Sequence, residues 1–200
     1  PSAVAASDLD GDGDVDLAVA NYNTDNVSIL RNNGSGAFVL AANYPAGNGP
    51  LSIAARDLDA DGDRDLAVAS EISDDVSVLL NSGTGTFAAP IGYPAGDGAR
   101  SVAAADLDGD GDADLAIANA AADTMSVLLN TGLGTFAPAV VYGLGDAPTA
   151  VVLADLDADG DMDAAVTNAG SDSVSVLRNN GAGVFAPRVN YGVGDEPGAL

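Results

Sequence analysis

The sequence predicts an all-β protein made of four repeated units, each of four short antiparallel strands. Three observations carry that prediction: an unbroken 49-residue period, apolar residues alternating with a period of two inside every unit, and Gly-rich turns at fixed places between the alternating stretches.

The period is written in several residue types at once. Asp-Leu-Asp begins at Asp8, Asp57, Asp106 and Asp155. The four Phe residues, Phe38, Phe87, Phe136 and Phe185, keep the same interval, as do Tyr44, Tyr93, Tyr142 and Tyr191. So do Asp25, Asp74, Asp123 and Asp172, and no insertion or deletion breaks the register. The units are therefore 1–49, 50–98, 99–147 and 148–196, and residues 197–200 begin a further repeat in phase with Pro1. Pro1 as first residue is expected of a processed or trimmed chain.

Within a unit the third copy shows the elements most clearly. Ser101 to Ala105 is a small-residue strand that leads into an acidic loop. Asp114 to Asn119 follows, with Leu115 and Ile117 alternating against Ala116 and Ala118. The third strand is expected over Met125 to Leu129 and the fourth over Phe136 to Tyr142. Between them every copy has Asn-x-Gly-x-Gly, such as Asn81 to Gly85, where glycine supplies the positive φ of a tight turn. Pro90, Pro138 and Pro187 fall in the fourth strand, which suits an edge because proline has no N–H to give to a ladder. Gly/Pro-rich links such as Pro45 to Pro50 join the units.

Four antiparallel strands repeated in series at this period are the signature of β-propeller blades. The Ala/Val-rich first strand fits a crowded inner edge. The fourth carries Phe and Tyr, where widening blades need larger side chains between them.

Composition narrows the partners. Nearly half of the 200 residues are hydrophobic, so the chain can build a core although 30 acidic residues face only 6 basic ones, all Arg. A formal charge of −24 argues against nucleic acid and anionic membrane, both of which need a basic face. No apolar run approaches the roughly 20 residues of a membrane span, so no membrane insertion is expected. With no Cys and no His, disulfides, thiolate zinc sites and the usual catalytic bases are absent. Lys is absent as well, and no catalytic role is expected.

The smallest cationic partner is a metal ion, and the acidic loops are built for one. Each reads Asp-x-Asp-x-Asp-Gly-x-x-Asp: Asp8, Asp10, Asp12, Gly13 and Asp16 in the first copy. The others are Asp57, Asp59, Asp61, Gly62 and Asp65; Asp106, Asp108, Asp110, Gly111 and Asp114; and Asp155, Asp157, Asp159, Gly160 and Asp163. Alternate carboxylates turn inward when a chain wraps one point, and a hard cation taking six to eight oxygens at about 2.3–2.6 Å fits such a cage. By analogy with loops of this spacing, position seven, Asp14, Asp63, Asp112 and Asp161, is expected to offer its backbone carbonyl. Five Asp in nine positions repel one another without a counter-ion. Many carboxylates and few waters favour calcium over magnesium, giving an expectation of four Ca2+ per chain.

Position twelve separates these loops from EF-hands, which place a bidentate Glu there. Here it holds Val19, Val68, Ile117 and Val166, which belong to an alternating strand. The strand–loop–strand unit resembles the FG-GAP/VCBS repeats of integrin α-subunit propellers and of many exported bacterial proteins, most closely over Ser101 to Asn119. The resemblance covers all four units. It implies a calcium-loaded, usually seven-bladed propeller with the ion in the hairpin between the first two strands of each blade. Four units are fewer than that ring needs, so they are expected to belong to a larger ring or repeat assembly.

The function expected is a secreted or cell-surface, calcium-stabilised structural or adhesive module. Its partners would be a protein or glycan at the cell surface, or further copies of itself. The alternative is a calcium-dependent lectin-like propeller. Sugar sites lean on aromatic platforms, Trp is absent, and Tyr22 alone lies outside the periodic aromatic set. Asn26-Val27-Ser28 and Asn33-Gly34-Ser35 match glycosylation acceptors, a short and weak pattern.

Overall fold

The six-residue stretch Asp-Leu-Ala-Ile-Ala-Asn sits at the centre of its blade because both of its faces are apolar. In the computed structural model, which describes residues 1–199, it is β10 of sixteen strands. They form four antiparallel sheets in simple meander order. The first sheet is β1 (Ala3–Ser7), β2 (Asp16–Asn21), β3 (Asn26–Asn32) and β4 (Phe38–Pro45). The second is β5 (Pro50–Arg56), β6 (Asp65–Ser70), β7 (Asp75–Leu79) and β8 (Ile91–Pro94). The third is β9 (Ala99–Ala105), β10 (Asp114–Asn119), β11 (Thr124–Leu128) and β12 (Val140–Gly143). The fourth is β13 (Pro148–Ala154), β14 (Asp163–Asn168), β15 (Ser173–Leu177) and β16 (Val189–Gly192). Among the described residues the only helical piece is a 3-10 turn, Ala169–Ser171, and no helix is long and apolar enough to cross a membrane.

The registers repeat with the sequence. Val19 faces Val4, Val68 faces Ile53, Ile117 faces Val102 and Val166 faces Val151. The first strands of successive sheets, β1, β5, β9 and β13, are neighbours. They form the edge along which the blades stack, and small side chains let them approach closely.

The core is three slabs, one between each pair of successive sheets. Val27 and Ile29 of the first sheet pack with Leu66, Val68 and Phe87 of the second. Val76 and Val78 pack with Leu115, Ile117 and Phe136. Met125 and Val127 pack with Val166, Leu177 and Phe185. β6 and β10 are consequently buried on both faces, while β2 alternates buried and half-buried residues because only one face of its sheet is covered. Each slab is closed at its outer end by an edge-to-face aromatic pair that crosses between blades: Tyr44 on Phe87, Tyr93 on Phe136 and Tyr142 on Phe185. Their ring centroids are 5.3, 5.3 and 5.5 Å apart. The recurrent aromatics are thus inter-blade packing.

The fourth strand departs from expectation in three copies. In place of a single strand from Phe136 to Tyr142, Phe136 makes one isolated bridge to Asn130 and the ladder resumes at Val140. Phe87 and Phe185 behave alike. Pro90, Pro138 and Pro187 explain the gap, since proline cannot donate to the ladder. The first copy has Ala41 there, and β4 runs unbroken from Phe38 with one bulge opposite Ile29 and Leu30. The third strand ends at Leu128, one residue short of expectation, and the first begins at Ala99, two residues early. The link between the first two blades is only Ala46 to Gly49, because Pro45 closes β4 and Pro50 opens β5.

Candidate metal centre

Each acidic loop joins the first two strands of its sheet, and the ninth-position Asp is already the first residue of the second strand. That Asp is fully buried in every copy: Asp16, Asp65, Asp114 and Asp163. Its carboxylate is fixed by two backbone amides. Asp65 Oδ2 accepts from Leu58 N at 2.8 Å and Oδ1 from Asn81 N at 2.7 Å. The equivalents are Leu9 and Asn32 on Asp16, Leu107 and Asn130 on Asp114, and Leu156 and Asn179 on Asp163. One buried carboxylate therefore ties the start of the loop to the turn after the third strand.

The first-position Asp organises the loop itself. Asp8 accepts from Gly11 N and Gly13 N at 2.8 and 3.0 Å, Asp57 from Ala60 N and Gly62 N, and Asp106 from Gly109 N and Gly111 N. Asp155 does so with Asp159 N and Gly160 N. The sixth-position glycines need their freedom here: φ is 91, 96, 97 and 100° at Gly13, Gly62, Gly111 and Gly160.

These bonds draw carboxylate oxygens to one point. One oxygen from each of Asp8, Asp10 and Asp16 lies within 4.8 Å of the others, and Asp106, Asp108 and Asp114 and Asp155, Asp157 and Asp163 repeat the group. In the second loop the group is Asp57, Asp59 and Asp61. Oxygens 2.3–2.6 Å from a shared cation fall within such a spacing. Asp10 Oδ1 is buried and has no hydrogen-bond partner, an acceptor directed at nothing else in the protein. An all-oxygen, all-carboxylate donor set suits a hard divalent cation.

Not all twenty Asp converge. In the three loops where the ninth position joins the group, the fifth does not; in all four copies the fifth-position Asp accepts from the backbone amide two residues on, as Asp12 does from Asp14 N. The seventh-position side chains turn away, Asp14 towards Gly34, Asp63 towards Gly83 and Asp161 towards Gly181, so their carboxylates are not in the groups.

Crowding is visible in the electrostatics. In all four loops the third-position carboxyl, Asp10, Asp59, Asp108 or Asp157, is held above the usual carboxylate range. Burial is the main cause and neighbouring carboxylates are the next upward one. Burial pushes Asp65 and Asp114 up to about 6 against the pull of their amide donors. Arginine pairs with the third-position carboxylate in the first and fourth loops: Arg31 Nε lies 3.5 Å from Asp10 and Arg178 Nη1 3.2 Å from Asp157. Leu80 and Leu129 stand at the equivalent positions.

Two further residues per unit matter, and their 49-residue recurrence was the signal for them. Asp25, Asp74, Asp123 and Asp172 adopt the left-handed conformation, and Oδ1 of each accepts an amide from the link to the next blade: Gly49, Gly98, Ala147 and Glu196. The Asn that opens the turn after the third strand reaches back to the preceding blade. Asn81 Nδ2 donates to Leu9 O at 2.8 Å, Asn130 to Leu58 O and Asn179 to Leu107 O, both at 2.7 Å. Tyr22, the aromatic outside the period, donates its hydroxyl to Glu71 Oε2 at 3.1 Å and lies against Gly49.

Successive four-stranded meander sheets, each with a carboxylate-lined hairpin between its first two strands, define a propeller-blade repeat protein. The chain belongs to the FG-GAP-like repeat family, whose pattern it matches over residues 8–68, 57–117 and 109–166. No curated protein sequence matches it. Among solved structures it is similar to an Agrocybe aegerita lectin that recognises non-reducing terminal N-acetylglucosamine. There the identity is 25% and the TM-score 0.62, over 92% of this chain and 50% of the lectin chain. It is also similar in fold to BBS1N in its complex with ARL6DN, with 14% identity and a TM-score of 0.69 over 98% of this chain and 57% of that one. The chain thus spans half the length of the first and little more than half of the second.

Proposed function

We propose that this chain is an extracellular structural or adhesive repeat protein whose blades are stabilised by Ca2+, one ion in each of the four Asp-rich hairpins. The observation that carries this reading is a cluster of three carboxylates at the same hairpin in four blades of four, always including the first and third positions. No catalytic step is assigned to it, because the clustered carboxylates serve as ligands. Four ions would bring the formal charge from −24 to −16, relieving repulsion inside the hairpins. Without an EF-hand's bidentate Glu, the sites are assigned the weak to moderate affinity of extracellular modules, about 10⁻⁴–10⁻³ M. Such affinities suit a protein that works outside the cell. Binding free energy then adds to folding free energy. Metal analysis after equilibrium dialysis against millimolar calcium should return four ions per chain; one or none overturns the reading.

Calcium-dependent glycan binding is the second reading, supported by the likeness to the Agrocybe aegerita lectin. Tyr22 is a poor platform for it, with its hydroxyl taken by Glu71 and its ring against Gly49. A glycan array probed in calcium separates the two. A blank array supports the structural reading, and calcium-dependent hits support the lectin.

A further inference from the structure

At the end of each blade away from the acidic loop, the last residue of the second strand faces the first residue of the third. The pairs are Asn21 and Asn26, Ser70 and Asp75, Asn119 and Thr124, and Asn168 and Ser173. In three blades the Asn amide fills the space between them. Asn21 Nδ2 donates to Asn26 Oδ1 and Ser28 Oγ at 2.9 and 2.8 Å, and Asn119 Nδ2 to Thr124 Oγ1 and Ser126 Oγ at 3.2 and 2.9 Å. Asn168 Nδ2 makes the same two bonds, to Ser173 Oγ at 3.2 Å and Ser175 Oγ at 2.9 Å.

The second blade lacks that donor. Ser70 is shorter than Asn by the amide group, and Asp75 brings a carboxylate where the other copies hold a neutral acceptor. Ser70 is fully buried and its Oγ has no hydrogen-bond partner. The oxygens nonetheless converge. A Cβ on Gly47, in the link that lies over this end of the blade, would stand 2.7 Å from Ser70 Oγ, 2.4 Å from Ser73 Oγ and 2.3 Å from Asp75 Oδ1. Ser77 Oγ, a fourth oxygen, accepts from Gly47 N at 3.0 Å. Asp75 Oδ1 accepts from Ser73 Oγ at 2.8 Å, and neither ion pair among the described residues involves this carboxylate. Burial holds its carboxyl above the usual range, against the pull of the Ser73 hydroxyl and with a further push from Asp74. A partly buried carboxylate and an unpartnered hydroxyl thus share a place where every other blade puts N–H groups.

We propose that the second blade binds a monovalent cation, sodium, between Ser70, Ser73 and Asp75, in the role that the Asn amide has in the other three blades. The donor set selects the class. All the facing groups are oxygens, which suits a hard cation. One carboxylate among hydroxyls calls for a single positive charge, in contrast to the three carboxylates gathered at each hairpin. The place is also distinct from the hairpin, because β6 separates them by its whole length from Asp65 to Ser70, about 17 Å. The bound ion joins β6, β7 and the turn between them beneath the link from the first blade.

None of these residues belongs to a hairpin cluster, so the outcome is independent of the calcium reading. The test is differential scanning calorimetry on the 200-residue protein in millimolar calcium, with sodium chloride replacing choline chloride at constant ionic strength. The melting temperature of the wild type is expected to rise by about 3–6 °C once sodium is tenfold above its Kd. Ser70→Asn restores the amide of the other three copies and should stay folded yet show no response to sodium. Asp75→Asn removes the charge, with Asn26 as its precedent in the first blade, and should be equally flat. Metal analysis should return the same calcium content for the wild type and both variants. A wild type that ignores sodium, or variants that respond to it as the wild type does, overturns the proposal and leaves only ordered water at the place. A calcium content that falls by one in Asp75→Asn overturns it as well, because the site is then divalent.

Discussion

Asp65 Oδ1 accepts a hydrogen bond from the backbone amide of Asn81 at 2.7 Å, and the side chain of the same Asn81 donates to Leu9 O in the preceding blade. A carboxylate at the edge of the metal centre is thereby one residue removed from the contact that joins two blades. The chain of bonds repeats through Asp114 and Asn130 to Leu58 and through Asp163 and Asn179 to Leu107. Whatever steadies the acidic loop also steadies the seam between sheets.

The first prediction tests that link. Asp65→Ala strands two buried amides, Leu58 N and Asn81 N, at about 1–3 kcal/mol each, for a total loss of about 2–6 kcal/mol. Asp63→Ala, whose carboxylate lies over Gly83 outside the cluster, should shift stability by no more than about 0.5 kcal/mol. Urea unfolding of both variants in calcium checks the contrast, and equal losses would show that the buried carboxylate has no special place.

The aromatic seam gives the second prediction. Phe136 is buried against Tyr93 and closes the slab between the second and third blades, so Phe136→Ala should cost about 3–5 kcal/mol. Phe38 holds the equivalent position of the first unit but is exposed, and Phe38→Ala should cost less than about 1 kcal/mol. Equal costs at the two positions would contradict the inter-blade assignment.

The repeat made most of this legible. A 49-residue period in Asp, Phe and Tyr announces four equivalent blades, and alternate Asp with a Gly at the sixth position announces the loops. Differences between copies were harder to read. That proline splits the fourth strand follows from chemistry seen in advance, since Pro138 was expected at an edge. Its severing of Phe136 from the ladder needed the actual register. Which of the five Asp converge was also hidden. Asp12 and Asp14 differ by two positions, yet one accepts a loop amide and the other lies over Gly34, a distinction made by a turn only coordinates reveal. Asn81 looked like a turn residue; its bond to Leu9 spans 72 residues, and nothing local encodes it.

Arginine supplies the third prediction. Arg31 and Arg178 pair with the third-position carboxylates of the first and fourth loops, whereas Leu80 and Leu129 at the equivalent positions form no such pair with Asp59 and Asp108. A guanidinium that must share its carboxylate with an incoming cation weakens binding. For partly exposed pairs worth about 0.2–1 kcal/mol the effect is about 1.5–5-fold. Calcium titration calorimetry should resolve two tighter and two weaker sites, and Arg31→Leu should move one site into the tighter class. Four equal sites that ignore this substitution would remove the assigned role of the arginines.

Acid gives the last prediction, because its sign reverses with calcium. In the metal-free fold burial holds Asp65 and Asp114 up at about 6, above an unfolded value of about 3.9. A carboxyl raised in the folded state contributes stability that is complete below about pH 4 and is lost as pH climbs through about 6. Chelated protein should therefore melt at a higher temperature at pH 5 than at pH 7. With calcium bound the ionised form of Asp114, a member of its loop's carboxylate group, is the ligand and its folded pKa falls below the unfolded one. That contribution is present at pH 7 and lost as pH falls towards 4. The loaded protein should melt at a lower temperature at pH 4 than at pH 7. Differential scanning calorimetry at pH 4, 5, 6 and 7, with calcium and with excess chelator, should show the chelated protein losing melting temperature from pH 5 to pH 7 while the loaded protein stays level there and drops only towards pH 4. Two parallel curves would mean that the buried carboxylates do not bind the cation, and the calcium reading would fall with them.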